Sequence, residues 1–422
     1  MDNLDTTNPK QDTTVMPETS KSTVTVVGGG SSAHVLIPFL SKGGHRVNLM
    51  TRRPEQWKKQ VSVELRTVDD KTTDTIQGSL NKVSSTPGEV IPEADVIILC
   101  MPVHQYHNAL HRILPYVDIR KPEVFVGTVY GQAGFNWMCH EVERKLQLAN
   151  ITCFAVGLIP WIARTVQYGS RGVNYGCKKR NIVAVAPANR FDRLNDLVLN
   201  DMCYNIHGTG KFLQADSFLS LTLSVDNQII HPSRCYGLWK GHGGKWATER
   251  DVPYFYRDFD ALSADILRRL DDDYTKVRDG VRRHFPQRKF PYMLDYLTLE
   301  RFTHESQNED IRASFRESKQ LGLIKTPCVP LETGEYGLDT QSRFFTDDIP
   351  YGLLIAKWLA EQLHVETPMI DEIITWAQKL RGWEFLTEDG KIHVQNAVNK
   401  KDKQVSGIPP AYGIKSIEGV LE

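Results

Sequence analysis

The sequence predicts an α/β protein in which a doubly wound, mostly parallel sheet is followed by a mainly α-helical domain. The first observation is that residues 23–53 have the pattern of a strand, a glycine turn, a helix and a second strand. The second is a change near Asn189, after which apolar residues recur at helical spacing, as in Leu262, Ile266 and Leu270. A chain of 422 residues is long enough for both domains. We expect a disordered leader at residues 1–22, the sheet domain at 23–188 and the helical domain at 189–422.

The first domain is expected to alternate strands with helices. Val24, Val26 and Val27 form a short apolar run typical of a buried parallel strand, and a helix should begin at Ser31. Ligands of such sheets bind where the carboxyl ends of the strands meet. Val47 and Leu49 are expected to begin a second strand. Further strands are predicted at 60–68 and 75–83, as separate strands or a hairpin, and at 94–100, 124–128, 151–157 and 182–186, with further helices at 104–114 and 134–146.

The glycines after the first strand match the dinucleotide-binding pattern G-x-G-x-x-G/A at Gly28, Gly30 and Ala33. The first glycine permits a tight turn, the second lets the backbone approach a pyrophosphate, and the small Ala33 lets helix and strand pack closely. A plain structural turn is the alternative, but the position between strand and helix favours a Rossmann-type site. The predicted cofactor-binding residues here are Gly28, Gly29, Gly30, Ser31, Ser32 and Ala33, with Pro102 at the turn after the strand 94–100.

The end of the second strand indicates which nicotinamide cofactor is used. Sites for NAD carry an Asp or Glu there, which binds the ribose 2′-hydroxyl. This chain has Arg52 and Arg53 instead, and guanidinium groups bind phosphate oxygens bidentately. The sequence therefore favours NADPH over NADH. The alternative is that Arg52 and Arg53 are a solvated pair on a surface turn.

Composition restricts the class of protein. Lys and Arg together number 51, as do Asp and Glu, so no net charge favours nucleic acid or an anionic membrane as a partner. The seven cysteines are widely spaced, which is typical of reduced thiols in a cytoplasmic protein and indicates no metal site. Residues 1–22 lack the apolar segment of a secretory signal, and no apolar run reaches the ~20 residues of a membrane span.

Three polar residues in the second half have types suited to catalysis. His231 follows two isoleucines, so it is expected on a partly buried element where its pKa is tuned for proton transfer. Arg343 and Asp348 precede Pro350, which marks the start of a helix. The arginine can bind a carboxylate, and the aspartate can orient a histidine. Each also has a structural alternative: a core histidine, a surface arginine and a helix-capping aspartate.

The chain resembles the opine dehydrogenases over nearly all of its length after the leader. The matching segments of the first domain are VVGGGSSAH (26–34), ADVIILCMPVHQYH (94–107) and GQAGF (131–135). Pro160 and Trp161 match between the domains. The matching segments of the second domain are IIHP (229–232), the spaced YGLW (236–239) and SRFFTDDIPYG (342–352).

The resemblance implies a nucleotide-binding domain, a helical domain and an NAD(P)H-dependent reductive condensation of an amino acid or amine with a 2-oxo acid such as pyruvate. It implies that His231, Arg343 and Asp348 are catalytic, that His231 and Arg343 also contact substrate, and that Gln132 and Ala133 line the first-domain side of the substrate cleft. A monomer or a homodimer fits.

Two alternatives remain open at this point. One is a two-domain 2-oxo acid reductase of the ketopantoate or glycerol-phosphate dehydrogenase type, in which a lysine is catalytic. The other is a non-catalytic NADP(H)-sensing protein that uses only the nucleotide site of the first domain.

Overall fold

The structure, a computed structural model, describes residues 21–316, 321–400 and 403–421. Of the predicted leader, only Lys21 and Ser22 fall within the described residues. Lys21 Nζ donates to Asp201 Oδ2 at 2.8 Å, and the Ser22 hydroxyl lies 2.7 Å from Nδ1 of His45. These two residues are therefore attached to the first domain.

The strands of the described residues form one large sheet and two small ones. The large sheet has the order β11-β10-β7-β6-β5-β1-β2-β4-β3-β9-β8 in the numbering below. Its central strands, from β6 through β5 and β1 to β2 and β4, are parallel. The strands are β1 (Thr23–Val27), β2 (Arg46–Met50), β3 (Gln60–Arg66), β4 (Thr72–Ser84), β5 (Val96–Leu99), β6 (Val124–Thr128), β7 (Ile151–Val156), β8 (Trp161–Gln167), β9 (Arg171–Cys177), β10 (Arg180–Ala186), β11 (Lys211–Gln214), β12 (Lys245–Trp246), β13 (Cys328–Pro330), β14 (Tyr336–Leu338), β15 (Asn399–Lys400) and β16 (Lys403–Gln404).

The helices lie on both faces of the large sheet and make up most of the second half. They are α1 (Ser31–Lys42), α2 (Pro87–Val90), α3 (Tyr106–Ile113), α4 (Phe135–Leu146), α5 (Phe191–Leu194), α6 (Asn200–Met202), α7 (Tyr204–His207), α8 (Phe218–Leu223), α9 (Asn227–His242), α10 (Ala261–His284), α11 (Tyr296–His304), α12 (Ile311–Arg316), α13 (Arg343–Thr346), α14 (Leu354–Gln362), α15 (Pro368–Arg381) and α16 (Val394–Val398). No helix in the described ranges is long and apolar enough to cross a membrane.

The predicted fold class is confirmed: a Rossmann-type sheet precedes a mainly helical region. The strands predicted at 60–68 and 75–83 form a hairpin, the antiparallel pair β3 and β4, and the strand expected at 182–186 forms as β10. Three strands of the large sheet were missed, β8, β9 and β11, as were the short strands β12 to β16 of the small sheets. The exposed side chains along β8 and the four-residue length of β11 explain why these two were missed, because neither leaves an apolar pattern. Since β11 pairs with β10, the sheet continues past residue 188.

The large sheet divides the apolar core into two clusters, one on each of its faces. Val26 of β1 packs with α1 on one face, whereas its neighbour Val27 packs on the other face with α3 and α4. The cluster that contains Val27 continues without a break into the helical half, where it includes Ile229 of α9 and Leu270 of α10. Side chains of the sheet domain and the helical domain therefore share one apolar core. All seven cysteines are unpaired, as expected.

Candidate active site

The glycine loop has the geometry that a bound pyrophosphate requires. Gly28 has φ +115°, and a Cβ there would lie 2.4 Å from the carbonyl oxygen of Cys100, so only glycine fits. Gly30 is the N-cap of α1 and provides no side-chain hydrogen bond to the helix. The Ala33 N–H donates to the Gly30 carbonyl, whereas the N–H groups of Ser31 and Ser32 have no backbone partner among the described residues and are available to an anion. Ala33 is fully buried behind this turn.

The side chains around the loop connect it to the two arginines. The Oη of Tyr168 lies so close to Gly29 that a Cβ on this glycine would be 2.7 Å away. The guanidinium of Arg53 lies 4.4 Å from the centre of the Tyr168 ring. Arg52 and Arg53 are exposed, and in the part of the chain that the structure describes neither forms an ion pair. A positively charged surface thus borders the loop. Ser31 and Ser32 begin α1.

The histidine at residue 231 lies inside α9 and is held by three neighbours. Its Nδ1 is 2.7 Å from Oδ2 of Asp348, and its Nε2 is 3.0 Å from the hydroxyl of Tyr256. The ring stacks on Phe344 with 3.7 Å between centroids. An ionised Asp348 can only accept, so Nδ1 carries the proton and Nε2 accepts a hydrogen bond from Tyr256.

Burial shifts the pKa of both His231 and Asp348. Only 2% of His231 and 6% of Asp348 is exposed. Burial, together with the positive charge of Arg343, lowers the pKa of His231 well below its usual value. Burial and the charge of neighbouring Asp347 raise the pKa of Asp348. The imidazole is therefore neutral near pH 7 and able to take up a proton.

The guanidinium of Arg343 is the positive charge that faces this pair. Arg343 is the first residue of α13, and Asp348 immediately precedes a π-helical turn at Ile349–Leu353 that leads into α14. Pro350 in that turn confirms the predicted helix start. Arg343 is exposed and has no ion-pair partner among the described residues. It is therefore available to an anion in the cleft.

Gln132 and Ala133 lie at the junction between the sheet and α9. The side chain of Gln132 donates from Nε2 to the Ser224 carbonyl at 2.7 Å, and its Oε1 accepts from the Tyr130 hydroxyl at 2.7 Å. The main-chain carbonyl of Gln132 accepts from Gln228, three residues before His231. Both Gln132 and Ala133 are buried. These bonds fix the start of α9 against the first domain.

The turn after β5 also reaches the helical half. Pro102 is exposed and precedes a short 3₁₀ turn at Val103–Gln105. Within that turn, Nδ1 of His104 makes a short contact with Oδ1 of Asp347, the neighbour of Asp348. The turn that follows the carboxyl end of β5 therefore contacts the residue next to Asp348.

Comparison with known proteins shows which proteins this chain resembles. Residues 214–381 match the α-helical domain of NAD/NADP octopine/nopaline dehydrogenases, and residues 24–128 match ketopantoate reductase PanE/ApbA. Octopine dehydrogenase of Mizuhopecten yessoensis is 27% identical over 417 residues, which span 94% of this chain and 98% of that protein. The chain resembles the opine dehydrogenases over nearly its whole length.

Another curated relative and a solved structure show the same similarity. Opine dehydrogenase of Haliotis discus hannai is 26% identical over 420 residues, spanning 96% of this chain and 99% of that protein. A solved structure of octopine dehydrogenase with NADH and L-arginine has a TM-score of 0.78 at 24% identity and covers 95% of this chain and 98% of that one. These similarities indicate an oxidoreductase with a nicotinamide cofactor. The ketopantoate reductase family model matches only residues 24–128, and a ketopantoate reductase structure from Ralstonia eutropha that covers 85% of this chain has a TM-score of 0.51 at 12% identity.

Several residues near the pair were missed by sequence reasoning. Tyr256 and Phe344 contact the His231 ring directly, and Tyr130 and Asp226 lie in the junction beneath it. Arg164 on β8 is a further exposed arginine in the cleft. Partial desolvation lowers its pKa, and the charge of Arg343 lowers it further, which indicates that the two guanidiniums are near each other. Phe344 lies within the segment SRFFTDDIPYG, but the segment alone does not show that it stacks on His231; the other residues lie outside the matching segments, so only the three-dimensional structure reveals their positions.

Proposed function

We propose that this protein is a member of the opine dehydrogenase family and catalyses the NADPH-dependent reductive condensation of an amino acid or amine with a 2-oxo acid such as pyruvate. The observation that carries the proposal is the buried His231–Asp348 pair near the guanidinium of Arg343, which forms no ion pair with any described residue. This pair lies opposite the turns of a sheet whose glycine loop fits a dinucleotide.

The residues of the first domain fit the cofactor. Gly28 to Ala33 would hold the pyrophosphate at the N-terminus of α1, since a side chain at Gly28 would collide with the Cys100 carbonyl. Arg53, placed beside the loop by Tyr168, and Arg52 would bind a 2′-phosphate. The bound cofactor supplies a hydride. Pro102 would border its nicotinamide end.

Two guanidiniums suit substrates that each carry a carboxylate. A 2-oxo acid and an amino acid bring one carboxylate each into the cleft, and the product keeps both. Arg343 would bind the carboxylate of the 2-oxo acid through two hydrogen bonds, and Arg164 would bind the second carboxylate. Such binding orients the reacting carbon and nitrogen, which lowers the barrier by several kcal/mol.

The neutral imidazole of His231 has a role in proton transfer. The amino group of an amino acid is protonated near neutral pH, so it must lose a proton before its nitrogen can form a bond to the carbonyl carbon. His231 would take that proton, with Asp348 stabilising the imidazolium, and return it to the former carbonyl oxygen once the carbon–nitrogen bond has formed. The nitrogen would give up a second proton to the same oxygen, which would leave as water, so that a protonated imine remains. Hydride supplied by the bound cofactor would add to the imine carbon, and the resulting secondary amine would take up a proton from solvent.

Tyr256 would connect His231 to the substrate. Its hydroxyl occupies the Nε2 side of the imidazole, the side that is not bound to Asp348. A proton passing between His231 and the cleft can therefore move through this hydroxyl. Phe344 and Asp348 would position the ring.

The proposal is tested by following NADPH oxidation by absorbance with pyruvate or 2-oxoglutarate against a panel of amino acids and amines. We expect oxidation that requires both co-substrates. Oxidation with the 2-oxo acid alone would instead indicate a simple 2-oxo acid reductase. NADPH binding without oxidation in any combination of the panel would favour a sensing protein.

A further inference from the structure

A group of histidine and glutamate side chains lies on the outer helical layer of the first domain and has no role in the proposed reaction. His107 and His111 are one helical turn apart on α3, and Glu141 extends from the adjacent α4. Residues four apart lie on the same helix face, so both imidazoles point toward α4. The exposed fractions of the side chains are 16% for His107, 40% for His111 and 10% for Glu141.

The atoms that face one another in this group have the spacing of metal ligands. Nε2 of His111 lies 3.2 Å from Nε2 of His107 and 3.4 Å from Oε2 of Glu141, and Nε2 of His107 lies 2.9 Å from that same oxygen. In a tetrahedral zinc site with bonds of about 2.0 Å, ligand atoms are about 3.3 Å apart. The three atoms therefore form one face of such a tetrahedron without any rearrangement.

The protonation of His107 supports the same conclusion. Its Nδ1 lies 2.6 Å from Oε1 of Gln404, a carbonyl oxygen that can only accept, so Nδ1 carries the proton. In the neutral imidazole, the lone pair of Nε2 then points at the carboxylate and at His111. Three electron-pair donors thus converge on one point.

We propose that His107, His111 and Glu141 bind one divalent transition-metal ion, zinc by its ligand preference, with water in the fourth position. Two imidazoles and one carboxylate are a zinc ligand set, and the partial exposure of His111 leaves an entry path. The hydrogen bond from His107 to Gln404 is the outer contact that zinc-binding histidines typically make. Lys145 pairs with the other carboxylate oxygen, Oε1, and leaves Oε2 for the metal. The sequence-based expectation of no metal site rested on cysteine spacing and did not include this group.

The ion would attach the C-terminal segment to the first domain. Gln404 orients His107, and its Nε2 donates to the Ser406 carbonyl at 2.8 Å and to the Tyr412 hydroxyl at 2.7 Å. The Tyr412 ring packs edge-on against His107 at 5.2 Å. Metal binding should therefore stabilise the docking of residues 404–412.

The test uses the full-length chain without a histidine tag, treated with a chelator and then titrated with Zn²⁺ by calorimetry and with Co²⁺ by visible absorption. We expect one ion per chain, a Co²⁺ spectrum typical of tetrahedral coordination, and a Tm that rises with Zn²⁺. His111→Ala should weaken binding by more than 100-fold and Gln404→Ala by about 10-fold. His242→Ala, an exposed histidine at the end of α9, should bind as the unaltered protein does.

Because His111 is partly exposed, its variant should keep its fold, which NADPH binding and the Tm in chelator would verify. Failure of the unaltered protein to bind Zn²⁺ stoichiometrically would overturn the proposal. Equal Zn²⁺ affinity of the His111→Ala, Glu141→Gln and unaltered chains would overturn it as well, since the ion would then lie elsewhere. Neither result depends on whether the protein oxidises NADPH.

Discussion

Nδ1 of His231 lies 2.7 Å from Oδ2 of Asp348 although 117 residues separate them in the chain. Both side chains are buried, so their interaction is not screened by water. Any proton that the imidazole accepts is stabilised by the carboxylate, whereas burial alone favours the neutral ring. The pair is therefore suited to hold a proton briefly during turnover, and the predictions below concern it and the residues around it.

Replacing His231 with alanine should lower kcat on the order of 10²- to 10⁴-fold, the usual contribution of general acid–base catalysis. The dissociation constant of NADPH should stay unchanged, because the glycine loop is on the other domain. Steady-state kinetics and a fluorescence titration of NADPH measure the two effects. His242→Ala on the same helix is the matched control, and an equal loss of activity in both variants would argue against the role of His231.

Replacing Tyr256 with phenylalanine should lower kcat about 10-fold or more while NADPH binding is kept, because the proton path through the hydroxyl is lost. The hydroxyl also donates to Nε2 and favours the neutral imidazole, so its removal should raise the pKa of His231 and shift the acidic limb of the pH–rate profile upward. An unchanged kcat and pH profile would show that Tyr256 only packs against the histidine.

Replacing Arg343 with lysine should raise the KM for the 2-oxo acid about 10-fold or more, even though the charge is kept, because an ammonium cannot make the planar two-bond contact with a carboxylate. Arg164→Lys should instead raise the KM for the amino acid. Kinetics with each co-substrate varied in turn separate the two effects. If both variants affect the same co-substrate, the assignment of the two guanidiniums is wrong.

Replacing Arg53 with alanine should weaken NADPH binding by about 10- to 100-fold, the loss of a charge-assisted hydrogen bond of 1.5–3 kcal/mol. NADH binding should hardly change, since NADH lacks the 2′-phosphate. Dissociation constants of both cofactors test this, with Arg120→Ala as a control at an exposed arginine of the same domain. Equal affinity of the unaltered protein for NADPH and NADH would rule out the proposed preference.

The stability of the glycine loop should depend on pH through His34. This buried ring holds the Gly30 carbonyl at 2.9 Å from Nδ1 and accepts from the Gly169 N–H at Nε2, which requires the neutral form. Burial lowers the pKa of His34 below 6.5, so its contribution to stability is complete above pH 6.5 and is lost as the pH falls toward the lower folded-state pKa.

Urea denaturation at about pH 7.5 and about pH 5.5 measures this effect as a difference in the free energy of unfolding. His34→Gln should be less stable than the unaltered protein at the higher pH, and it should lose less stability on acidification. The same pH dependence in both proteins would assign the effect to other histidines.

Much of the fold was predictable because its central strands are continuous apolar runs. Val96–Leu99 and Val124–Thr128 could be placed from sequence to within two residues. The strand β8 was not predictable, since four of its seven side chains are exposed at the edge of the sheet and leave no periodic pattern. Edge strands are fixed by pairing with a neighbour, here β9, which local sequence does not report.

Like the fold, the candidate site was only partly predictable from the sequence. The glycine loop is local in sequence, so its pattern alone indicated a nucleotide site. His231, Arg343 and Asp348 were identified by the family resemblance, because no spacing rule relates residues more than a hundred positions apart. Tyr256 was missed for the same reason: it lies on neither α9 nor α13, and only packing brings its hydroxyl to Nε2.

The most direct test of the proposed reaction is the mass spectrum of the product formed from a 2-oxo acid, an amino acid and NADPH deuterated at the transferable position. The proposed reaction gives a secondary amine that joins both substrates with loss of one water and carries one deuterium on the new C–H bond. A deuterated 2-hydroxy acid without the amine nitrogen would contradict it, because hydride would then have been delivered to the carbonyl carbon of a free 2-oxo acid.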